Sequence, residues 1–74
     1  MAEDEDILVR FGRRLRVLRL GMQLSQEALA LECDLDRTYV SGIERGRRNV
    51  SLRNITALAR VLNVSLSQLF EGVE

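Results

Sequence analysis

The sequence predicts a small all-α domain built from five helices. The chain has 74 residues, no proline and only five glycines, so few residues interrupt a helix. Apolar side chains recur at spacings of three and four in several segments, which is the helical period. A serine or an aspartate precedes most of these segments, where a side-chain oxygen caps the start of a helix. We therefore expect helices packed on one core.

The first helix is predicted from an amphipathic stripe near the N-terminus. Its apolar residues follow the spacing 3-4-3-4, and arginines occupy the other faces of the same segment. We expect the stripe to face the core and the arginines to face solvent. The apolar residues are Leu8, Phe11, Leu15, Leu18 and Met22, and the arginines are Arg10, Arg13, Arg14 and Arg16.

Residues 25–46 contain two short helical patterns joined by a tight turn. Ser25 is the predicted N-cap of the second helix, and Asp36 is the predicted N-cap of the third, at residues 37–45. Both helices have an apolar inner face, so the two faces must pack on each other. These faces are formed by Leu29, Ala30 and Cys33 in the second helix and by Val40 and Ile43 in the third, with Leu35 in the turn.

Packing of these faces leaves the start of the third helix exposed. Arg37, Thr38, Ser41 and Gly42 are then expected to face outward, and the last two add little bulk. A helix-turn-helix that presents polar and basic side chains near the N-terminus of its second helix is suited to the major groove of DNA. The segment therefore predicts a DNA-binding domain.

Two further helices are predicted after a polar loop at residues 46–50. Gly46 is the expected C-cap before this loop, and Ser51 is the N-cap after it. Asn63 suits the left-handed conformation that ends the fourth helix, and Ser65 caps a short fifth helix. The apolar residues are Leu52, Ile55, Ala59 and Leu62 in the fourth helix and Leu66, Leu69 and Phe70 in the fifth.

The charges are distributed unevenly, although they sum to zero. All eleven basic residues are arginines between positions 10 and 60, and six of the eleven acidic residues lie near the termini. Residues 7–70 therefore carry eleven basic and five acidic groups, a net charge of +6. A basic body is typical of phosphate-binding proteins, although an ordinary solvated surface would account for it equally well. We expect one domain over residues 1–74, with an acidic N-terminal tail at residues 1–6 and a C-terminal tail at residues 71–74.

An enzyme is not expected from this composition. The chain has no histidine, the commonest general base and metal ligand. Its one cysteine, Cys33, lies on the inner face of the second helix, where a small buried hydrophobe is a simpler interpretation than a catalytic thiol. The acidic residues lack the spacing of a metal loop, and there is no glycine-rich phosphate loop. We therefore expect a non-enzyme without metal or cofactor.

The sequence also indicates where the protein acts. No apolar run approaches the ~20 residues that span a membrane. The acidic N-terminus is unlike a signal peptide. A single cysteine allows no disulfide within the chain. We expect a cytoplasmic protein with no membrane partner.

The two-helix segment carries a family resemblance. The run LDRTYVSGIERGRRNVSL, residues 35–52, is similar to the controller proteins of restriction–modification systems, and the likeness extends over about residues 11–70. Two turns depart from the family pattern, which has glycine at both. Asp34 replaces one glycine and tolerates a positive φ better than most residues; Gln23 replaces the other, and we expect Gly21 to act as the C-cap instead. The positions that match the phage-repressor-like (Cro/XRE) helix-turn-helix are Gln26, Ala30, Leu35, Val40, Ile43, Glu44 and Gly46.

We expect two classes of DNA contact. Arg37 can reach both acceptors of a guanine, although a solvated or phosphate-paired arginine is the alternative. Thr38 can contact a base edge or serve only as a first-turn residue. Tyr39 either contacts DNA, along a sugar-phosphate strand or against a base step, or belongs partly to the core. By resemblance, Gln26 contacts phosphate and the loop after the third helix runs beside the DNA. The predicted base-reading residues are Arg37, Thr38, Ser41 and Arg48, and the predicted backbone contacts are Ser25, Gln26, Tyr39, Arg47 and Asn49.

Some charged residues have other expected roles. In related phage repressors an arginine and a glutamate form an internal ion pair, and the resemblance implies that Arg19 and Glu44 do so here. The pair would hold the first helix against the end of the third. Arg13 and Arg14 are weaker phosphate candidates, for which a solvated helix face is the preferred interpretation.

The resemblance implies a transcription regulator that binds a two-fold double-stranded DNA operator as a homodimer. Its targets would be its own gene and a restriction endonuclease gene, activated at low occupancy and repressed at high occupancy, with RNA polymerase as a further partner. With no second domain, no small-molecule effector is expected. Among the crowded apolar residues near the C-terminus, we expect Val64 and Leu69 in the core and Leu66, Phe70 and Val73 at the dimer interface. The alternative is an antitoxin or adaptor module of the same fold that acts through protein–protein contacts.

Overall fold

Five helices make up the part of the chain that the structure, a computed structural model, describes: residues 5–73. They are α1 (Ile7–Gly21), α2 (Gln26–Cys33), α3 (Arg37–Glu44), α4 (Leu52–Leu62) and α5 (Leu66–Leu69). The all-α prediction is confirmed. Residues 1–4 of the expected N-terminal tail and residue 74 of the expected C-terminal tail lie outside the described residues. Within residues 5–73, no helix combines the length and apolar character that crossing a membrane requires.

Side-chain caps determine where the helices begin. Four predicted caps each accept a hydrogen bond from a backbone N–H in the first turn of the following helix. At α5 the cap is reciprocal, because Gln68 Oε1 also accepts from the backbone N–H of Ser65 at 2.8 Å. Asp6 lies in the expected N-terminal tail, yet it caps α1 by accepting from the N–H of Leu8 at 3.1 Å. The four predicted caps are Ser25, Asp36, Ser51 and Ser65.

Three helices are followed by a residue other than glycine with a positive φ, and one of these differs from the prediction. Asp34 and Asn63 are left-handed after α2 and α4, with φ of 59° and 58°, as expected. After α1, Gln23 itself is left-handed with φ of 60°, and Gly21 is the last helical residue. The expectation that Gly21 acts as the C-cap is therefore wrong. The N–H of Leu24 closes the last turn of α1 onto an α1 carbonyl at 3.2 Å, and this brings the Leu24 side chain against the core.

The core lies where the five helices meet. Two predicted core residues, Met22 and Leu52, are exposed instead. Met22 follows the last turn of α1 and Leu52 begins α4, so both lie beyond the packed part of an apolar face. Leu58, which the predicted spacing of the fourth helix passes over, is fully buried. The most completely buried side chains come from all five helices and are Leu15, Leu29, Val40, Ile43, Leu58 and Leu69.

A glycine allows α1 to contact the end of α3 directly. A Cβ built on Gly12 would lie 2.2 Å from the carbonyl oxygen of Ile43 and 2.8 Å from that of Glu44. Both neighbours are backbone atoms, so they cannot move aside as a side chain can. The close approach of the two backbones therefore depends on glycine at this position, and it helps to fix the orientation of α3.

Candidate nucleic-acid interface

The N-terminal end of α3 faces solvent. Arg37 and Thr38 are exposed, and Ser41 is half-buried. Gly42 is buried, so the prediction that it faces outward is wrong. The cause is a tertiary contact: the side chain of Arg48 lies across Gly42, and a Cβ built on that glycine would come within 2.6 Å of Arg48 Cγ.

The cap of α3 also orients Thr38. Asp36 Oδ1 accepts hydrogen bonds from the Thr38 backbone N–H at 2.9 Å and from the Thr38 hydroxyl at 2.7 Å. These bonds lower the pKa of Asp36, and the charges of Arg37 and Arg48 lower it further. Because its hydroxyl proton points toward Asp36, Thr38 presents an oxygen that can accept a hydrogen bond and a methyl group that can contact a base.

Tyr39 is half-buried and packs against the core, which agrees with the second of the two interpretations of its sequence position. Its hydroxyl accepts a hydrogen bond from Asn54 Nδ2 of α4 at 3.2 Å and lies 3.5 Å from the carbonyl oxygen of Asn49. On the exposed side, the guanidinium carbon of Arg48 lies 5.8 Å from the ring centroid, a cation–π geometry. Tyr39 thus connects α3, α4 and the loop between them.

The loop after α3 begins with a Schellman motif. Gly46 has φ of 73°; its N–H donates to the carbonyl of Ile43 at 2.9 Å, and the N–H of Arg47 donates to that of Gly42 at 2.8 Å. A Cβ on Gly46 would also lie 2.8 Å from the Cα of Val9 in α1. Both the positive φ and this close approach therefore disfavour any larger residue at the position. The motif directs the following residues out to solvent, where Arg47, Arg48 and Asn49 are all exposed.

A buried ion pair holds the other end of α3. Glu44 Oε2 lies 2.6 Å from Arg19 Nε and Glu44 Oε1 lies 3.0 Å from Arg19 Nη2, a bidentate geometry. The two side chains are only 7% and 2% exposed. Arg19 also donates to the carbonyl of Leu24 at 2.7 Å, and its hydrogen bond to Glu44 raises its pKa. The guanidinium therefore stays charged inside the fold and joins α1 to α3.

Gln26 takes part in this network. Its side-chain Nε2 donates to Glu44 Oε1 at 3.0 Å, and the residue is half-buried at the start of α2. One amide hydrogen is therefore used inside the protein, and the second is left for the phosphate contact that the resemblance implies. Ser25 Oγ accepts from the N–H of Ala28 at 3.0 Å and remains exposed beside it. Phosphate binding at this helix end stays a prediction.

The two weaker phosphate candidates have partners within the protein. Arg13 forms an exposed ion pair with Glu5, with Nη2 2.9 Å from Oε2. Arg14 donates to the carbonyl of Gln68 at 2.7 Å and lies 3.6 Å from Glu71, so the interpretation of Arg14 as part of a solvated face is wrong. Arg14 instead connects α1 to the C-terminal region.

Two comparisons of the sequence establish the family. A helix-turn-helix family model matches residues 15–69. Control protein C.MunI from Mycoplasma sp. is 50% identical over 70 residues, which are 93% of this chain and 95% of that protein. Control protein C.BamHI from Bacillus amyloliquefaciens is 49% identical over 67 residues, 89% of this chain and 83% of that protein.

The chain belongs to the helix-turn-helix family. A comparison of structures agrees: the restriction–modification controller protein C.AhdI from Aeromonas hydrophila superposes with a TM-score of 0.83 and 57% identity, covering 85% of this chain and 96% of that one. The protein is a DNA-binding transcription regulator and not an enzyme, since its relatives are regulatory proteins. In this family's motif, α3 is the second helix, the position of a recognition helix, and its N-terminal end is exposed.

The one cysteine of this regulator has a structural role. Cys33 is buried, its Sγ lies 3.8 Å from the carbonyl oxygen of Ala57, and burial raises the pKa of the thiol. A buried thiol with a raised pKa packs as a small hydrophobe. Within residues 5–73, no cluster of carboxylates and thiols has the geometry of a metal site.

An exposed apolar surface lies near the C-terminus. Leu66 is 49% exposed and Phe70 is 37% exposed, although the Phe70 ring stacks on Phe11 with centroids 5.1 Å apart. Val73, the third predicted interface residue, is half-buried and packs against the core. Leu69 is fully buried and Val64 is partly buried, as predicted for core residues. A shallow groove of about 150 Å³ adjoins Phe70, lined by Ile7, Leu8, Phe11, Val50, Ile55 and Asn49.

Two contributors to the site, Asn54 and Gly12, were absent from the sequence prediction, and Gln26 was predicted without its bond to Glu44. Asn54 holds the Tyr39 hydroxyl, Gly12 admits the backbone of α3, and Gln26 bonds Glu44. Only the resemblance could have drawn attention to Gln26, and it suggested a different partner. Asn54 and Gly12 act through contacts between helices distant in sequence, so no local pattern marks them.

Proposed function

We propose that the protein is a controller-type regulator that binds a two-fold DNA operator upstream of its own gene and of a restriction endonuclease gene. The observation that carries the proposal is the arrangement of α3. Its C-terminal end is held by the Arg19–Glu44 ion pair, while Arg37 and Thr38 at its N-terminal end are exposed. A recognition helix fixed at one end and free at the other presents its first turn to the base edges of a major groove.

The proposal assigns the polar residues to two groups, according to the part of the DNA that each contacts. Arg37, Thr38, Ser41 and Arg48 read base edges. Ser25, Gln26, Tyr39, Arg47 and Asn49 contact the sugar-phosphate backbone and set the register of the protein on DNA. The proximity of Arg48 to α3 supports its place in the first group, because its guanidinium carbon lies 5.8 Å from the ring centroid of Tyr39 in that helix.

The proposed homodimer pairs through the exposed apolar residues Leu66 and Phe70, with Val73 beside them. Exposed aliphatic and aromatic side chains on so small a domain favour an interface. Two-fold pairing would place two recognition helices roughly 34 Å apart, one turn of DNA. The regulator would act in the cytoplasm, activating at low occupancy and repressing at high occupancy, with RNA polymerase as a further partner.

Selection from a pool of duplexes with a randomised core tests this function. The wild-type protein should enrich one two-fold sequence, and fluorescence anisotropy should show that duplex bound at least about a thousandfold more tightly than a scrambled duplex. A footprint of the protein upstream of its own gene should contain the enriched sequence. Arg16→Ala, at an exposed position of α1, is the matched control and should leave the ratio unchanged.

Two results would contradict the proposal. If the pool yields no enriched sequence, or both duplexes bind equally at two salt concentrations, the protein does not read bases. The same fold would then serve as a protein-binding module of the antitoxin or adaptor kind.

A further inference from the structure

Gly42 is an unusual residue for the second turn of a recognition helix. Glycine in a helix interior is less favourable than alanine, because it loses more conformational freedom on folding. Its φ is not in the left-handed region, so backbone conformation does not require glycine here. The three atoms nearest to a Cβ at this position all belong to one side chain: Arg48 Cγ at 2.6 Å, Nε at 3.4 Å and Cδ at 3.5 Å. The space that the missing side chain leaves is therefore occupied by Arg48.

The course of the Arg48 side chain follows from these distances. Its stem crosses α3 at Gly42, and its guanidinium carbon lies 5.8 Å from the ring centroid of Tyr39, three residues nearer the start of the helix. The positive charge of Arg48 also acts on Asp36, the N-cap of α3. The side chain thus runs from the loop back toward the end of α3 that carries Arg37 and Thr38.

Two features hold this arrangement in place. The Schellman bond from the N–H of Arg47 to the carbonyl of Gly42, 2.8 Å, ties the residue before Arg48 to α3. The ring of Tyr39 is held from behind, because its hydroxyl accepts a hydrogen bond from Asn54 of α4 at 3.2 Å. The long, flexible side chain of Arg48 therefore has defined contacts with Gly42 and with the Tyr39 ring before any DNA is bound.

We propose that Gly42 is a positioning residue for DNA recognition: it seats the stem of Arg48 so that a loop arginine is presented beside Arg37 at the start of the recognition helix. The inference rests on the proposed function, since it assigns a role within the same DNA-reading surface. Pre-ordering the side chain reduces the entropy lost when its guanidinium binds DNA. A Cβ at position 42 would push the stem away and remove this advantage without removing the charge.

The first test is made on the free protein. Arg48 side-chain protons near the Tyr39 ring should show ring-current shifts by NMR. In Gly42→Ala these shifts should vanish, while the core methyl signals stay in place. Gly21→Ala is the matched control: it makes the same change at the end of α1, where a Cβ would meet no atom within 4 Å. Random-coil shifts for Arg48 in the wild type, or unchanged shifts in Gly42→Ala, would overturn the proposal whether or not any variant binds DNA.

The second test is a double-mutant cycle of binding to the duplex that the wild-type protein enriches from the randomised pool. Gly42→Ala should weaken binding about tenfold in the wild-type background, within the range for one lost arginine contact. In the Arg48→Ala background the same change should weaken binding less than about twofold. Gly21→Ala should have no effect in either background.

The outcomes of the cycle are distinct. An equal loss in both backgrounds would mean that the new methyl group obstructs the DNA directly, which refutes a role through Arg48. Unchanged binding in Gly42→Ala would refute it as well. Failure of the pool to yield any enriched duplex would contradict the proposed function itself, and the NMR result would still decide whether Gly42 seats Arg48.

Discussion

The buried ion pair between Arg19 and Glu44 makes a sharp prediction about stability. Glu44→Ala removes the acceptor of two charged hydrogen bonds, from Arg19 Nε at 2.6 Å and from Arg19 Nη2 at 3.0 Å. Arg19 keeps only its bond to the carbonyl of Leu24, and Gln26 loses its acceptor at 3.0 Å as well. Because a guanidinium is strongly basic even without a partner, Arg19 cannot escape the loss of Glu44 by giving up its proton.

The expected magnitude follows from burial. Arg19 is 6% exposed, so water reaches the stranded guanidinium poorly. Removing one partner of a buried ion pair costs about 3–5 kcal/mol in free energy of unfolding. A domain of 74 residues has a total stability on the order of 4–11 kcal/mol, so this loss is a large part of the whole. Arg19→Met/Glu44→Leu should recover part of it, because both charges are replaced by apolar groups.

Urea melts of the wild type, Arg19→Met, Glu44→Leu and Arg19→Met/Glu44→Leu measure the coupling between the two side chains, and Glu44→Ala is measured beside them. The exposed pair of Glu5 and Arg13 is the matched control, since Arg13 Nη2 lies 2.9 Å from each carboxylate oxygen but the side chains are 47% and 59% exposed. Glu5→Ala should cost less than about 1 kcal/mol. A Glu44→Ala change no larger than that of Glu5→Ala would refute the argument, whereas a variant already unfolded without urea would agree with it.

Three other predictions concern DNA binding, assembly and pH. Arg37→Ala should weaken binding to the enriched duplex by about 1–3 kcal/mol and relax preference at one base pair per half-site, whereas an equal loss on random DNA would exclude base reading. Leu66→Asp should give a folded monomer in sedimentation at micromolar concentration; it is a cleaner probe than Phe70→Asp, because Phe70 also stacks on Phe11, and a variant that stays dimeric would contradict the proposed interface. The pKa of Asp36 is lowered in the folded state, so its stabilising contribution is present above the unfolded value of 3.8 and is lost as the pH falls below it. The difference in Tm between wild type and Asp36→Asn should therefore shrink as the pH falls below about 4, where the carboxylate gains its proton first in the unfolded state and then in the folded state. A constant difference would show that its charge has no part.

Helix starts were predictable because a cap is a local interaction. Ser25, Asp36 and Ser51 each bond a backbone N–H two or three residues ahead, so the evidence for them lies within four residues of sequence. The left-handed residues Asp34 and Asn63 are equally local. The end of α1 was less predictable, because the choice between Gly21 and Gln23 depends on where Leu24 must lie to reach the core.

The exposure of a side chain was predictable only where its position around its own helix determines it. Gly42 lies on the outer face of α3 by periodicity, yet it is buried because a loop arginine covers it. Leu52 continues the apolar stripe of α4, yet it is exposed because the stripe extends past the packed surface. Both errors come from contacts between residues that no repeat in the sequence connects.

The two ends of α3 are held by different kinds of contact, and this difference bears on the proposed contacts with DNA. Its C-terminal end meets the backbone of α1 at Gly12, bonds Arg19 through Glu44 and turns sharply at Gly46. Each of these contacts restricts the position of the helix axis, and all three lie within its last turn or just beyond it. The N-terminal end is held by Asp36, a cap that bonds only within its own segment and leaves Arg37 and Thr38 exposed. A helix anchored in this way keeps its orientation without covering its first turn, so Arg37 and Thr38 can approach base edges while the fold supplies the rigidity that sequence-specific binding needs.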